Sequence, residues 1–267
     1  MRSGNHRFQC KSCGKYFTDN LGFEGRRSAP EYITVAVELV YAGLSIRKTV
    51  KALHSIYCKV GRSTIHRWAE QYGHMMDEYL DGITPLVGEE WRTDEIYMKI
   101  RGKRKYLFAM LDSETRYWIA RQVATHKGTD DVRPMFKQAK DITGKTPSKL
   151  ISDGASNFAE AHKDEYAPKN YLWKSSVHES HIRMDGDIHN NQMESFNGNT
   201  IRLREKVVRG LKKEDAALLA GLKVYHNHVR PHLGLPDGQT PGEASGIHVD
   251  GVNKILTIIR AAAKARN

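Results

Sequence analysis

The stretch EWRTDEIYMKIRGKRKYLFAMLDSETRYWIARQV, residues 90–123, decides the fold class. From Trp91 to Ile100 the residues alternate as in a strand, with Asp94, Ile96, Met98 and Ile100 on one face. Gly102-Lys103 turns the chain. Tyr106 to Leu111 is continuously apolar, as expected of a strand buried on both faces. A polar turn, Asp112 to Thr115, leads to a third strand from Tyr117 to Val123. Beyond it, Asp130 to Asp141 has helical character. Pro147 to Asp153 is a short strand ending in an acid, followed by Gly154 and a helix-like Ala155–His162.

Three meandering strands, then helix, strand and helix, predict a ribonuclease-H-like α/β domain: a mixed five-stranded sheet flanked by helices. Two acids stand out on that frame. Asp94 lies inside the first strand, where a carboxylate is costly without a cationic partner. Asp153 lies at the C-terminal end of a strand, just before a helix, where α/β sheets place their ligands.

A third acid comes from DIHNNQMESFNGNTIRLREKVVRG, residues 187–210. An acid and two asparagines suit a helix start. Met193, Phe196, Thr200, Leu203 and Val207 then form one apolar stripe. Glu194 sits on its flank, and Gly198, four residues on, has no side chain to cover the carboxylate. Arg202, Arg204, Lys206 and Arg209 follow as a basic run suited to a phosphate backbone. Three bare carboxylates brought together repel one another, but they make a hard oxygen cage for two Mg²⁺ ions. Two such ions serve phosphoryl transfer by activating an attacking hydroxyl and stabilising the leaving oxygen.

Upstream, residues 30–75 read as three helices. Pro30 opens the first, which carries Ile33, Val37, Val40 and Leu44. Ser45 caps the second, with Val50 and Leu53. Ser63 is expected to cap the third, with Ile65, Trp68, Ala69 and Tyr72 facing inward. This is a helix-turn-helix pattern: Thr64, His66 and Arg67 would face base edges, and Arg47, Lys48, Lys51 and Arg62 the phosphates. Residues 1–27 hold Cys10 and Cys13, two cysteines in zinc-knuckle spacing with a glycine after the second. His6 is a third ligand at best. The segment looks like the second half of a zinc ribbon whose first half would lie upstream of Met1, through truncation or as a vestige. The domain plan is a partial zinc-ribbon-like segment over 1–27, helix-turn-helix over 28–76, linker over 77–89 and catalytic domain over 90–246. A basic C-terminal helix over 247–267 completes it.

Composition fits this plan. The 267 residues carry a formal charge of +11, which suits a polyanionic partner, nucleic acid before an acidic membrane surface. No stretch approaches the roughly 18 continuous apolar residues a membrane span needs. Three cysteines do not make a disulfide framework, so the reducing cytoplasm, at the nucleoid, is the expected compartment.

The chain resembles insertion-sequence transposases of the DDE, retroviral-integrase-like superfamily, of prokaryotic type. Four passages carry the likeness: Trp91-Arg-Thr-Asp-Glu95, Ile151-Ser-Asp-Gly154, Asn190-Asn-Gln-Met-Glu194, and Tyr225-His-Asn-His-Val-Arg-Pro-His232 with Thr240-Pro241 behind it. The resemblance implies that Asp94, Asp153 and Glu194 are the catalytic, metal-holding acids, with Mg²⁺ as the working ion and Mn²⁺ as a substitute. It implies strand cleavage at element ends and transfer of the freed 3′-hydroxyl into target DNA by a homodimer or higher multimer. Two features depart from the pattern. The interval between Asp153 and Glu194 is longer than usual, with the extra length expected in a loop around Tyr166–Asp187. The position seven after the glutamate, often basic in relatives, is Ile201, with Arg202 and Arg204 just beyond. Two other readings stay open: a truncated or inactive remnant acting as a DNA-binding protein, and a stand-alone nuclease of the same fold. His178 and His181 read as plain surface residues, and His226, His228 and His232 as packing.

Overall fold

The computed structural model describes residues 7–18, 21–167, 176–180, 190–202 and 217–266. A two-stranded hairpin, β1 (Arg7–Gln9) and β2 (Tyr16–Thr18), precedes three helices, α1 (Pro30–Tyr41), α2 (Ile46–Ser55) and α3 (Arg62–Asp81). Pro30 opens α1 and the Ser45 hydroxyl accepts from Lys48 N at the start of α2, as the sequence predicts.

Two details of α3 correct the sequence reading. Gly61, not Ser63, is the N-cap, so Ser63 falls inside the first turn. The helix also runs on to Asp81, through the first turn of the predicted linker 77–89. It continues because Met75, Met76, Asp77 and Leu80 are buried, which extends the inward face well past Tyr72. This last part of α3 ties the helical region to the sheet domain. Asp77 takes both guanidinium nitrogens of Arg121 at 2.7 and 3.4 Å, and the buried Lys223 reaches Asp81 at 2.5 Å.

The sheet comprises β3 (Glu90–Ile100), β4 (Lys103–Asp112), β5 (Trp118–Ala124), β6 (Lys149–Ser152) and β7 (Val177–Ser180). Its order is β5-β4-β3-β6-β7. The β3–β4–β5 meander is antiparallel, while β6 pairs parallel with β3 and β7 parallel with β6. That is the ribonuclease-H-like arrangement the sequence predicts. Helix α4 (Thr129–Thr143) packs on β5 and β4, and α5 (Ser156–Tyr166) packs on α4. The fifth strand, β7, lies inside the segment read as a loop. Its residues Val-His-Glu-Ser show no apolar alternation, and backbone pairing with β6 alone makes it a strand.

Past the sheet, α6 (Asn191–Phe196) passes directly into a wider π turn, Asn197–Ile201. Helix α7 (Ala217–Val224) ends likewise in a π turn, Tyr225–Val229, before the short α8 (Pro241–Ala244) and the last helix, α9 (Lys254–Arg266). The sequence left open where the last helix docks. Its buried face, Ile255, Ile258, Ile259 and Ala262, belongs to α9 packed on α3 and α1, and Asn253 Nδ2 donates to Thr34 Oγ1 at 2.8 Å. Helix α7 crosses the same helices so closely that a Cβ on Gly221 would fall inside the buried Tyr41 ring. No helix among the described residues is long and apolar enough to cross a membrane.

Edge strand β5 is closed by the π turn after α7. The Asn227 amide donates to Trp118 O at 3.0 Å and accepts from Trp118 N at 2.8 Å, as a neighbouring strand would. His226 bridges Arg116 O at 3.0 Å and Thr200 Oγ1 at 3.2 Å, and His228 is buried edge-on to Tyr117. These histidines pack, as the sequence reading expected. Asn227→Ala leaves a buried N–H and a buried C=O of Trp118 without partners. The expected loss is roughly 2–4 kcal/mol, read as a lower midpoint in thermal or urea unfolding.

Candidate active site

The offset between β3 and β6 builds the site. Glu90 pairs with Lys149, Trp91 with Leu150 and Arg92 with Ile151. Continued by two residues, the same register sets Asp153 alongside Asp94. Gly154 then turns at φ 89°, a conformation that a glycine adopts without strain, and leads into α5. Asp94 is largely buried. Its Oδ1 accepts from the Glu95 N–H at 2.8 Å, and its Oδ2 from Asn197 Nδ2 at 2.8 Å. Asp153 is exposed and accepts from Ala155 N at 3.2 Å.

One carboxylate oxygen each of Asp94, Glu95 and Asp153 lie within 4.8 Å of one another. Glu95 is the member that the sequence reading missed. It stands next to Asp94 on a strand whose alternation assigns it to the other face. Glu194 occupies the first turn of α6, exposed, and is not part of the 4.8 Å group. It is nevertheless electrostatically close to Asp94. Burial first, and then the charges of Asp153, Glu95 and Glu194, together push the Asp94 carboxyl up to about 7, against the stabilising Glu95 N–H.

Helix α6 is held against β3 at both ends. Asn190 Nδ2 reaches Thr93 O at 3.5 Å and Asn197 binds Asp94, while Phe196 packs edge-on to Trp118 with centroids 4.9 Å apart. The π turn inserts one extra residue, so Thr200 and Ile201 are both buried. Of the predicted stripe, Met193, Phe196 and Thr200 are buried, whereas Leu203 and Val207 lie outside the described residues.

The residues present fit a divalent cation. The donor set is wholly hard oxygen. Four buried acceptor oxygens, Glu95 Oε2, Asn190 Oδ1, Gln192 Oε1 and Asn197 Oδ1, have no hydrogen-bond partner. Of the basic residues predicted on this helix, Arg202 is exposed with its guanidinium 5.9 Å from the Tyr97 ring; Arg204, Lys206 and Arg209 lie outside the described residues.

The predicted DNA contacts of the helical region cluster in part. A cleft of about 670 Å³ between the N-termini of α2 and α3 is lined by Ser45, Ile46, Arg47, Arg62, Ser63, His66 and Arg67. Lys48 and Lys51 are exposed on α2 and Thr64 is half-buried on α3, outside the cleft lining. His66 pairs with Glu70 at 3.2 Å. In the N-terminal hairpin, Cys10 and Cys13 flank the turn. Hydrogen bonds from Ser12 and from the Cys13 and Ser12 amides hold the Cys10 thiol down at about 6. Among the described residues no third ligand joins these two cysteines, and His6 lies outside them. Cys58 is buried, as a small packed residue. His178 is no plain surface residue: it is half-buried on β7, with Nε2 2.9 Å from Ser152 Oγ, just before Asp153. His181 lies outside the described residues.

Since the folded Asp94 carboxyl titrates above its ordinary value, its protonated form stabilises the metal-free fold. That stability is complete below about pH 4 and is lost as pH rises through about 7. In chelator, the thermal midpoint of the wild type should fall over this window, and Asp94→Asn should flatten the fall. Mg²⁺ added near pH 8 should restore stability to the wild type and not to the variant.

Comparison with known proteins follows the same lines. The model of the IS240-type DDE domain matches residues 88–232. The transposase of insertion sequence IS257 in transposon Tn4003 of Staphylococcus aureus is 32% identical over 138 residues, 50% of this chain and 59% of that protein. The transposase of the IS431mec element of Staphylococcus aureus strain Mu50 is 31% identical over the same shares. The match thus spans 59% of the length of these curated relatives. Among solved structures, the catalytic core domain of HTLV-2 integrase, in complex with magnesium, overlaps at TM-score 0.44 and 16% identity, covering 61% of this chain and 99% of that one. The DDE-domain match covers more than half of the sequence, from just before β3 to His232, and the chain belongs to the IS240-type DDE family of prokaryotic insertion-sequence transposases.

Proposed function

We propose that this protein is a Mg²⁺-dependent DNA transposase that cuts at the ends of an insertion sequence and joins the freed 3′-hydroxyl to target DNA. The observation that carries the reading is the oxygen cluster of Asp94, Glu95 and Asp153, set by strand register inside a matched DDE domain. Asp94, Asp153 and Glu194 would hold two metal ions, with Mn²⁺ as a substitute. The bound ions would supply Lewis-acid activation of the attacking oxygen and charge stabilisation of the leaving oxygen. The chain's own part is to place and orient. Asn197 fixes the rotamer of Asp94, and Asn190 and Phe196 fix the helix that presents Glu194. In cleavage, water attacks phosphorus and the 3′-oxygen leaves with a proton. In joining, that 3′-hydroxyl attacks a target phosphodiester, loses its proton, and displaces the target 3′-oxygen.

The three N-terminal helices act as a helix-turn-helix reader of the element ends, with Arg47, Arg62, His66 and Arg67 at the cleft and Lys48, Lys51 and Thr64 alongside it. Arg202, Arg204, Lys206 and Arg209 serve the reacting strand. The net charge of +11 supports a polyanionic partner. Joining two ends requires a homodimer or higher multimer, working in the cytoplasm at the nucleoid. A zinc ion at Cys10 and Cys13 needs two more ligands.

A strand-transfer assay with Mg²⁺ and a labelled duplex carrying the element's end tests the reading. Glu194→Gln and Asp153→Asn should each lower joined product by more than about 100-fold while end binding persists. Cleavage without joining in the wild type would make the protein a nuclease, and binding without chemistry would make it a remnant. Replacing Arg47 and Arg62 together by glutamine should lower the slope of log affinity against log salt by about two. An unchanged slope would remove the cleft from the DNA interface.

A further inference from the structure

We infer that Glu95 is a fourth acid of the metal centre, a ligand whose free oxygen faces the same ion as Asp94 and Asp153 while Lys127 grips its other oxygen. The inference rests on the metal-centre reading above and extends it to a residue outside the three acids.

Four observations lead there. Neighbours on a strand start on opposite faces, yet one oxygen of Glu95 lies within 4.8 Å of one from Asp94 and one from Asp153. The Glu95 side chain is only 8% exposed, so its carboxylate has little access to water. Its Oε1 is taken by the Lys127 ammonium, and its Oε2 is buried with no hydrogen-bond partner. Such an oxygen is costly unless something cationic meets it.

Lys127 is itself held in place. Arriving from the segment after β5, its ammonium lies 5.1 Å from the centre of the Tyr106 ring on β4. A lysine fixed at one oxygen leaves the second oxygen in a set orientation, the usual way in which an outer partner orients a ligating carboxylate. Charge points the same way. Three ionised carboxylates against one ammonium leave two negative charges, which one divalent cation offsets. Glu95 also bears on the position of Glu194, which stands outside the 4.8 Å group. With Glu95 present, an ion meets three carboxylates before α6 contributes its own.

The alternative is that Glu95 serves only to anchor Lys127. Two variants that break the same ion pair from opposite sides separate these roles. Mn²⁺ alone is titrated into the full chain and the free ion is followed by electron paramagnetic resonance, for the wild type, Glu95→Gln, Lys127→Gln and Asp153→Asn. Glu95→Gln should weaken Mn²⁺ binding at least about tenfold, while Lys127→Gln, which loses the orienting partner but also removes a positive charge beside the ion, should weaken it by clearly less. In chelator, Glu95→Gln should unfold at the wild-type temperature or above, because one of three repelling anions is gone; this also shows that the variant folds. If Asp153→Asn loses Mn²⁺ and Glu95→Gln keeps it, Glu95 is no ligand and the three-acid reading stands alone. Equal losses in Glu95→Gln and Lys127→Gln would reduce Glu95 to an anchor and overturn the inference. If the wild type takes up no Mn²⁺, the metal-centre reading falls and this one falls with it.

Discussion

Parallel pairing of β3 with β6 is the constraint on which the rest of the molecule depends. It brings Asp94 and Asp153, the residue just past β6, side by side, against their mutual repulsion and, for Asp94, against the cost of burial. Strand register is stiff, since a slip of one residue would turn the apolar face of β3 outward. The sheet's packing energy therefore holds the acids where their charges alone would drive them apart. The opposing terms are local: the Glu95 N–H, the Asn197 amide and, at the edge of the cluster, the Lys127 ammonium.

The surroundings of the site follow from that arrangement. Helix α6 must approach an anionic strand, and it does so with asparagines at both ends and an aromatic anchor between them. The π turn after α6 lets two consecutive residues, Thr200 and Ile201, sink into the core, which fixes the rotation of the helix that carries Glu194. Behind the turn, His226 joins Thr200 to Arg116 O, and Asn227 closes the edge of β5. The acid-bearing helix and the edge of the sheet are thus braced by one short segment, Tyr225–Val229.

Much of this was legible in the sequence. Asp94 was visible because an acid interrupts an apolar strand face, and Asp153 because it ends a short apolar run before a glycine. The helix boundaries around Pro30 and Ser45 follow from proline and capping chemistry. Other features left no local signal. Strand β7 is polar and exists through pairing with β6. The end of α3 is set by burial against α7 and by the pairing of Asp77 with Arg121 of β5, which tertiary contact supplies and periodicity does not. Glu95 reads as an ordinary solvent-side residue, because alternation says where a side chain starts and not where its carboxylate ends. A π turn uses the same residues as an α-helix, so a 3.6-residue stripe cannot reveal it.

The docking of α9 joins the last residues of the chain to the first helices. Ile258 and Ile259 complete a core begun by Ile33, Val37 and Tyr72, and a Cβ on Gly22 would come 2.9 Å from Ile259. In synthesis, α1 and α3 are therefore made well before the helix that completes their packing surface. Until residues 254–266 have left the exit tunnel, α1 and α3 expose the apolar strip that α9 later covers. A product interrupted before α9 would thus carry all three acids while the helices proposed to read DNA still lacked part of their core.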